Sequence, residues 1–220
     1  PSKDLDCRGA DSAAELDRQR TKIVNGLSTL NADIVGLVEL ENNDDEAISD
    51  LVDGLNAELG INTYNYVNTG PIGTDAIKVG FIYKPATVEL VGDFDILDST
   101  VDSRFIDTKN RPILAQSFQL VGADSCITLG VAHLKSKGSS CRDVGDPDSS
   151  DGSGNCNGVR NAAAAAAVSW FDTDPTGAGC PSVAILGDLN SYAMEEPIKT
   201  LESVGYVNVE PTTAYSYVFD

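Results

Sequence analysis

Three polar signals in this sequence stand directly after apolar stretches that are typical of β-strands. They are Glu39, His133 and the segment Gly187-Asp188-Leu189-Asn190, and His133 is the only histidine of the chain. Carboxylate and amide oxygens suit a hard cation such as Mg²⁺, and an imidazole titrates near neutrality and can donate a proton. No serine or cysteine nucleophile accompanies them, so the set favours metal-assisted hydrolysis of a phosphate ester.

Each signal alone also has a structural explanation. A carboxylate at the end of a strand is commonly a solvated boundary residue. Gly-Asp-x-Asn is commonly a plain turn, because Asp and Asn bond their own backbone, and a single histidine is commonly structural. Only the arrangement of the three signals in the fold separates these explanations from a functional site.

The order of elements along the chain predicts that His133 and Asp188 meet. The strand Cys126–Val131, a helix from about Val159 to Phe171 and the strand Val183–Leu186 form a βαβ unit. Its two strands are expected to be parallel neighbours with their carboxyl ends on the same side. Ligand sites of α/β sheets form at these carboxyl ends.

The cysteine spacing supports the same register. Cys126 lies seven residues before His133, and Cys180 lies eight residues before Asp188. Parallel strands in register therefore bring the two cysteines together at the opposite rim of the sheet. One arrangement predicts a disulfide at one rim and a His–Asp pair at the other.

A second disulfide is predicted between Cys141 and Cys156, which flank 14 residues rich in Gly, Ser, Asp and Asn. Closing a loop of this size contributes about 3 kcal/mol in the chain-entropy model, and nothing else in the sequence indicates what holds the segment. Cys7 is left over, and its partner is expected upstream of residue 1. This cysteine usage points to an oxidising compartment, and the absence of a Cys-x-x-Cys pair argues against structural zinc.

The chain is strongly acidic, with 15 basic and 34 acidic residues and a formal net charge of −19. Such a charge repels polyanions at long range and otherwise serves solubility, so a polyanion site must create its own positive charge. The candidates for contacting substrate are Lys135 and Lys137, close behind His133, and Arg111, whose planar guanidinium suits phosphate. The alternative is that all three are ordinary solvated side chains.

The remaining elements predict an α/β domain. A capping box, Ser12-Ala-Ala-Glu15, opens a first helix, and a second helix spans about Asp45 to Leu59. Apolar runs predict strands, of which Ile34–Val38 and Val183–Leu186 are expected to be buried. The further strands are Tyr64–Val67, Ile77–Tyr83, Val88–Leu97, Ile113–Val121 and Cys126–Val131, and a last helix is predicted over Glu196–Leu201.

The 220 residues suit a single domain over residues 1–220 with a sizeable core. Helix–strand units at both ends and a strand-rich middle favour two packed sheets with helices outside. No apolar run approaches the roughly 20 residues that span a bilayer, so no membrane anchor is expected.

Five segments, in this order, resemble the endonuclease/exonuclease/phosphatase superfamily, which is deoxyribonuclease I-like, and within it the branch of secreted bacterial extracellular nucleases. The segments are Ile34-Val-Gly-Leu-Val-Glu39, Asp75-Ala-Ile-Lys-Val-Gly-Phe-Ile-Tyr-Lys-Pro85, Asn110-Arg-Pro112, His133-Leu-Lys-Ser-Lys-Gly138 and Gly187-Asp-Leu-Asn190. The resemblance implies a four-layer α/β sandwich of two mixed β-sheets flanked by helices. It also implies a secreted bacterial protein that needs a divalent cation, Mg²⁺ first, with Mn²⁺ and Ca²⁺ as alternatives.

The resemblance also implies a role for each site residue. Glu39 would be the metal ligand, and His133 would act at the leaving group or the transition state. Asp188 and Asn190 would lie near the scissile phosphate and the attacking water. Arg111 would contact phosphate, and Asp75 would orient or support the site.

The sequence departs from the family pattern at both ends. The family begins with a strand that carries an active-site asparagine, and it ends with an Asp-His pair after an aromatic strand that Tyr215-Ser-Tyr-Val-Phe219 resembles. We expect a domain that lacks the first and last strands, which the parent chain would supply.

The function expected is cleavage of DNA, and of RNA as an extension, with low sequence specificity. A sphingomyelinase-like enzyme or a sugar-phosphate phosphatase of the same fold is the enzymatic alternative, and a catalytically inactive binding module is the alternative of another class.

Overall fold

Two β-sheets pack face to face at the centre of the molecule, and helices cover their outer faces. The computed structural model describes residues 9–209 of the chain. The elements are α1 (Ala13–Leu30), β1 (Ile34–Glu41), α2 (Glu46–Leu59), β2 (Asn65–Tyr66), β3 (Ile77–Tyr83), β4 (Val88–Leu97), β5 (Arg111–Leu120), β6 (Cys126–His133), α3 (Asn157–Phe171), β7 (Val183–Asp188) and α4 (Glu196–Ser203).

The first sheet has the order β1-β3-β2 and the second the order β4-β5-β6-β7. In the second sheet β6 and β7 are parallel and the other pairs are antiparallel, so it is mixed as predicted. The predicted α/β fold of two packed sheets flanked by helices is confirmed. Among the strands described, β3 of the first sheet pairs antiparallel with both β1 and β2.

Three apolar clusters account for the four layers. Between the sheets, Phe81 and Phe118 pack edge to face, with Leu114 and Val131 around them. The helices α1 and α2 pack on the outer face of the first sheet. The helix α3 presents its buried alanines, Ala163 among them, to the outer face of the second sheet, because only small side chains let a helix approach this closely.

The strands β1 and β7 correct a prediction, because both were expected to be buried. Each lies at the end of its sheet with one neighbour among the described strands. Every residue of β1 is partly exposed or exposed, and in β7 Leu186 is 38% exposed. Within residues 9–209 each of these apolar runs therefore forms a strand at the end of its sheet, whereas the pattern had predicted a buried strand.

The first two helices begin differently. Ser12 caps α1 as predicted, and its Oγ accepts the backbone N–H of Glu15 at 3.3 Å. The second helix begins one residue later than predicted, at Glu46. Asp45 has a φ of 67° and its carboxylate accepts the N–H groups of Thr69 and Gly70 rather than capping its own helix. The same carboxylate forms a buried ion pair with Lys78.

Both predicted disulfides are present, Cys126–Cys180 and Cys141–Cys156. The first joins the start of β6 to the segment before β7, at the end of the strands opposite to His133 and Asp188. Cys7 and the segment Tyr215–Phe219 lie outside the described residues. Within residues 9–209, no helix combines the length and the apolar character needed to cross a bilayer.

Replacing Cys126 and Cys180 together by serine is expected to lower the free energy of unfolding by about 4 kcal/mol, because the bridge spans 54 residues. The pair Cys141→Ser and Cys156→Ser, which spans 15 residues, is expected to cost about 3 kcal/mol. Equilibrium urea denaturation of the two double variants measures both values. A smaller loss for the first pair than for the second would contradict the loop-length argument.

Candidate active site

The strand register of the second sheet places three of the predicted site residues side by side. Arg111 at the start of β5 pairs with His133 at the end of β6, and His133 pairs with Asp188 at the end of β7. His133 Nε2 lies 4.0 Å from Asp188 Oδ2, with the imidazole buried and the carboxylate 52% exposed. The predicted meeting of His133 and Asp188 is therefore confirmed as geometry.

In the turn after β7, the backbone conformation and the close packing require the residue types that are found at Gly187 and Asn190. Gly187 has a φ of 113°, and a Cβ at this position would lie 2.1 Å from the carbonyl oxygen of Ala132, so only glycine fits. Asn190, at a φ of 48°, donates its N–H to Asp188 Oδ1 at 2.8 Å and its side-chain Nδ2 to the carbonyl of Leu134 at 2.9 Å. The segments that follow β6 and β7 are thereby tied to each other.

Glu39 reaches the site through an irregularity in β1. The register between β1 and β3 shifts between Leu37 and Leu40, and Glu39 within that shift has a φ of 59°. Such bulges re-aim a side chain at the rim of a sheet. The side chain of Glu39 is exposed, and its charge acts on the imidazole of His133.

Asp75 forms an ion pair with Arg111, with 3.0 Å between Oδ2 and Nε. The loop that carries Asp75 is held by Asn42, a buried residue that the sequence analysis did not identify. The Nδ2 of Asn42 donates to the carbonyls of Ile72 and Asp75 at 2.9 and 3.0 Å, and its Oδ1 accepts the N–H of Ile72 at 3.0 Å. Its position just after a bulged strand is the only sequence signal that it gives.

Lys135 lies beside this cluster, whereas the charge of Lys137 is paired elsewhere. The backbone N–H of Lys135 donates to Oδ1 of the buried Asn110 at 2.9 Å, and burial first and Arg111 second lower its side-chain pKa. Lys137 pairs with Glu195, and its Nζ lies 3.8 Å from the ring centroid of Tyr192. The structure therefore brings Lys135, but not the ammonium of Lys137, to Arg111.

The environment of His133 lowers the pKa of its imidazole below 6.5. Burial is the larger cause and the positive charge of Arg111 is the second, while the carboxylates of Asp188, Glu39 and Asp75 act in the opposite direction. All four charges thus act on the same ring. His133 Nδ1 is buried without a hydrogen-bond partner among residues 9–209, and the imidazole is neutral at pH 7.

An open groove of about 1200 Å³ runs beside the cluster. Glu39, Asp75 and Arg111 line one part of it, and apolar side chains that include Leu16 and Val38 line another. The part of the site that carries Glu39, Asp75 and Arg111 is therefore open to solvent along β1.

The donors of the cluster fit a hard cation with few protein ligands. Among the described residues, no three His, Cys, Asp or Glu side chains form a group that could hold a metal ion by themselves. Mg²⁺ is commonly held by one or two carboxylates, with water and a substrate phosphate completing its octahedron. The exposed Glu39 offers one such carboxylate. The residues of the site therefore suit a cation that is bound partly by the protein and partly by the phosphate of the substrate.

The chain matches the family described as endonuclease/exonuclease/phosphatase over residues 7–218. No curated protein sequence matches it significantly. The catalytic domain of human Nocturnin with bound sulfate has a TM-score of 0.58 at 17% identity, covering 87% of this chain and 64% of that one. A mannosyl-6-phosphatase of Bacteroides thetaiotaomicron gives 0.58 at 14% identity, with 90% and 67% covered.

A third solved structure, TDP2 of D. rerio complexed with a single-strand DNA product, has a TM-score of 0.50 at 13% identity. It is matched over 90% of this chain and 62% of its own length. At these identities the likeness shows the fold alone. The chain spans about two thirds of the length of the three structures.

The imidazole of His133 is expected to titrate below 6.5, and two substitutions are expected to move its pKa in opposite directions. Arg111→Gln removes a neighbouring positive charge and raises the pKa, whereas Asp188→Asn removes a negative charge and lowers it further. Because the chain has one histidine, the ring protons are followed by ¹H NMR against pH without assignment. Arg142→Gln, on the exposed loop, is the control, and titration of wild-type His133 at or above 6.5 would contradict the described burial.

Proposed function

The chain belongs to the endonuclease/exonuclease/phosphatase family, and we propose that it hydrolyses phosphodiester bonds in nucleic acid with the help of a divalent cation. Endonucleases, exonucleases and phosphatases all transfer a phosphoryl group to water. The observation that carries the proposal is the register that sets Arg111, His133 and Asp188 side by side, with Glu39 and Asp75 acting on the same imidazole.

Arg111 and Lys135 supply the local positive charge that an acidic protein needs for a phosphate. Arg111 is directed by its ion pair with Asp75, and its terminal nitrogens have no hydrogen-bond partner among the described residues. A guanidinium held in this way presents a planar pair of donors to two phosphate oxygens. Lys135, beside it, adds a point charge whose ammonium is partly desolvated.

His133 is proposed to donate a proton to the leaving oxygen. The imidazole of the free protein is neutral at pH 7, so it must gain a proton before it can act as an acid. A phosphate bound at Arg111 brings negative charge next to the ring and raises its pKa. Asp188, now 4.0 Å from Nε2, stabilises the imidazolium that results, and such contacts commonly tighten when substrate binds.

Asp188 and Asn190 are proposed to orient the attacking water at the scissile phosphate. Their mutual hydrogen bond and the bond from Asn190 to Leu134 fix both side chains against the end of β6. Holding reactants in a near-attack geometry contributes a large part of the barrier reduction in such reactions.

Glu39 is proposed to bind the cation, with Mg²⁺ favoured over Mn²⁺ or Ca²⁺ because few protein ligands are available. When bound, a divalent cation neutralises negative charge that develops on the phosphoryl oxygens. Glu39 lies on the first sheet and His133 on the second, so the carboxylate of Glu39 would hold the cation on the side of the site opposite to His133.

DNA is the proposed substrate, with RNA as a second one, because the basic side chains at the site select a polyanion over a neutral headgroup. The structure of D. rerio TDP2 holds a single-strand DNA product, which supports the substrate class on this fold. The two disulfides support a secreted protein, and a bacterial source remains part of the proposal from the sequence resemblance.

The single domain predicted for residues 1–220 is proposed to gain further strands from the parent chain. The described part of β1 and of β7 has a free edge on one side, and the chain spans about two thirds of the structures it resembles.

Incubation of supercoiled plasmid with the protein and Mg²⁺ is expected to produce nicked circles, and EDTA is expected to abolish them. His133→Ala is expected to lower kcat by about 10²- to 10⁴-fold, the usual contribution of general acid catalysis. Glu39→Gln is expected to raise the Mg²⁺ concentration needed for half-maximal rate, because one charged ligand is lost. Glu58→Gln, an exposed carboxylate on α2, is the matched control and keeps the wild-type rate.

Three outcomes separate the alternatives. Cleavage of sphingomyelin or of a sugar phosphate, while plasmid stays uncut, would show that the same site acts on a different phosphate ester. If only a longer form of the protein cleaves plasmid, the result would support the proposal that activity needs further strands from the parent chain. Binding without turnover in every form of the protein, with no effect of Glu39→Gln, would identify a binding module.

A further inference from the structure

Arg160 is a fully buried arginine near the start of α3, and the other buried residues of this helix are all apolar. No carboxylate lies within 4.0 Å of it in the part of the chain that the structure describes. Burial lowers the pKa of its guanidinium, although Glu195 and Asp146 oppose that shift. A charge is buried at such a place only if hydrogen bonds replace its water.

The guanidinium of Arg160 joins three segments at the carboxyl ends of β6 and β7. Nη1 donates to the carbonyl of Lys135 at 3.1 Å and to that of Asn155 at 2.7 Å, and Nη2 donates to the carbonyl of Ser153 at 2.8 Å. Nε donates to Ser191 Oγ at 3.3 Å. Lys135 is two residues after His133, and Ser191 directly follows Asn190.

We infer that Arg160 is a positioning residue that sets the distance between the segment carrying His133 and the segment carrying Asp188 and Asn190. The inference rests on the proposed function of that site. Arg160 touches no reacting group in the described structure, so it acts through the backbone of Lys135 and the side chain of Ser191. Its only sequence signal is an arginine two residues before six consecutive alanines, and the sequence-based prediction of the site did not include it.

The geometry requires arginine rather than another cation. Three nitrogens of one rigid plane point at four acceptors on separate segments, and only a guanidinium offers five N–H donors in a fixed fork. An ammonium in the same place has three rotatable donors and a shorter reach. Lysine at position 160 is therefore expected to keep the charge but lose the fixed spacing.

The loop between β6 and α3 has other anchors, so Arg160 is not needed to hold it. The Cys141–Cys156 disulfide closes the loop, and the Val159 N–H at the start of α3 donates to Asp146 Oδ2 at 2.7 Å. Asp146 therefore anchors this loop in addition to the predicted disulfide. Because these anchors remain, a substitution of Arg160 is expected to shift the position of the loop without detaching the loop from the rest of the fold.

The test compares Arg160→Lys with Arg104→Lys in the full chain. Arg104 is a matched control, because its Nη2 also binds α3, through Ser169 Oγ at 2.8 Å near the far end of the helix. For Arg160→Lys, kcat for Mg²⁺-dependent cleavage of plasmid is expected to fall at least about ten-fold with KM within about two-fold, as for a small misplacement of catalytic groups. The NMR signal of the single imidazole is expected to shift, and Arg104→Lys is expected to change neither.

Ser191→Ala is the second variant, for the case in which Arg160→Lys fails to fold. It removes one acceptor of the guanidinium and leaves the buried charge bonded to three carbonyls. A smaller fall in kcat, of about three-fold, with a shifted His133 signal would support the inference. Wild-type kcat and an unshifted signal in Ser191→Ala, or a folded Arg160→Lys that loses only thermal stability, would overturn it.

The two proposals fail in different ways. If the wild-type protein cleaves no phosphodiester, the proposed function fails, and the His133 signal alone decides whether Arg160 positions that segment. If wild type is active and the signal is unchanged in a folded Arg160→Lys, the inference fails while the proposed function stands.

Discussion

Six consecutive residues of β6 pair in parallel with six of β7, from Thr128 opposite Val183 to His133 opposite Asp188. This ladder fixes which side chains meet at its carboxyl end, since a slip of one residue would turn each of them to the other face. The Cys126–Cys180 disulfide ties the segments together near the other end. Three other features depend on this register: the turn at Gly187, the hydrogen bond from Asn190 to Leu134 and the hydrogen bonds of Arg160.

Under the proposed function, this acidic protein must bind a polyanion. Several basic side chains of the described structure are ion-paired at the surface, such as Lys109 with Asp143. Arg111 is paired as well, but with its guanidinium mostly buried, so that its field acts on His133 and Lys135 in a poorly screened environment. The position and the burial of Arg111, rather than the number of cations, therefore decide where its charge acts.

Much of the fold was predictable because it follows from local patterns. The capping box at Ser12, the helix and strand periods and the βαβ unit are each encoded within short stretches. The βαβ unit predicted the Cys126–Cys180 disulfide and the meeting of His133 with Asp188, and the loop composition predicted the Cys141–Cys156 disulfide. The edge positions of β1 and β7 were not predictable, since an apolar run does not reveal which neighbours a strand has. The pairing of Lys137 with Glu195 and the hydrogen bonds of Asn42 and Arg160 depend on segments up to 58 residues apart.

The edges of β1 and β7 that no described strand pairs with have a further consequence for the behaviour of the chain in solution. Each edge offers a row of backbone N–H and C=O groups that a strand of any sequence can satisfy, and a flat, apolar edge is a template for aggregation. In the part of the chain that is described, β1 carries mainly Ile, Val and Leu, interrupted by Gly36 and by the bulge at Glu39. The bulge that aims the candidate metal ligand therefore also limits how long a foreign strand can pair with the described part of β1.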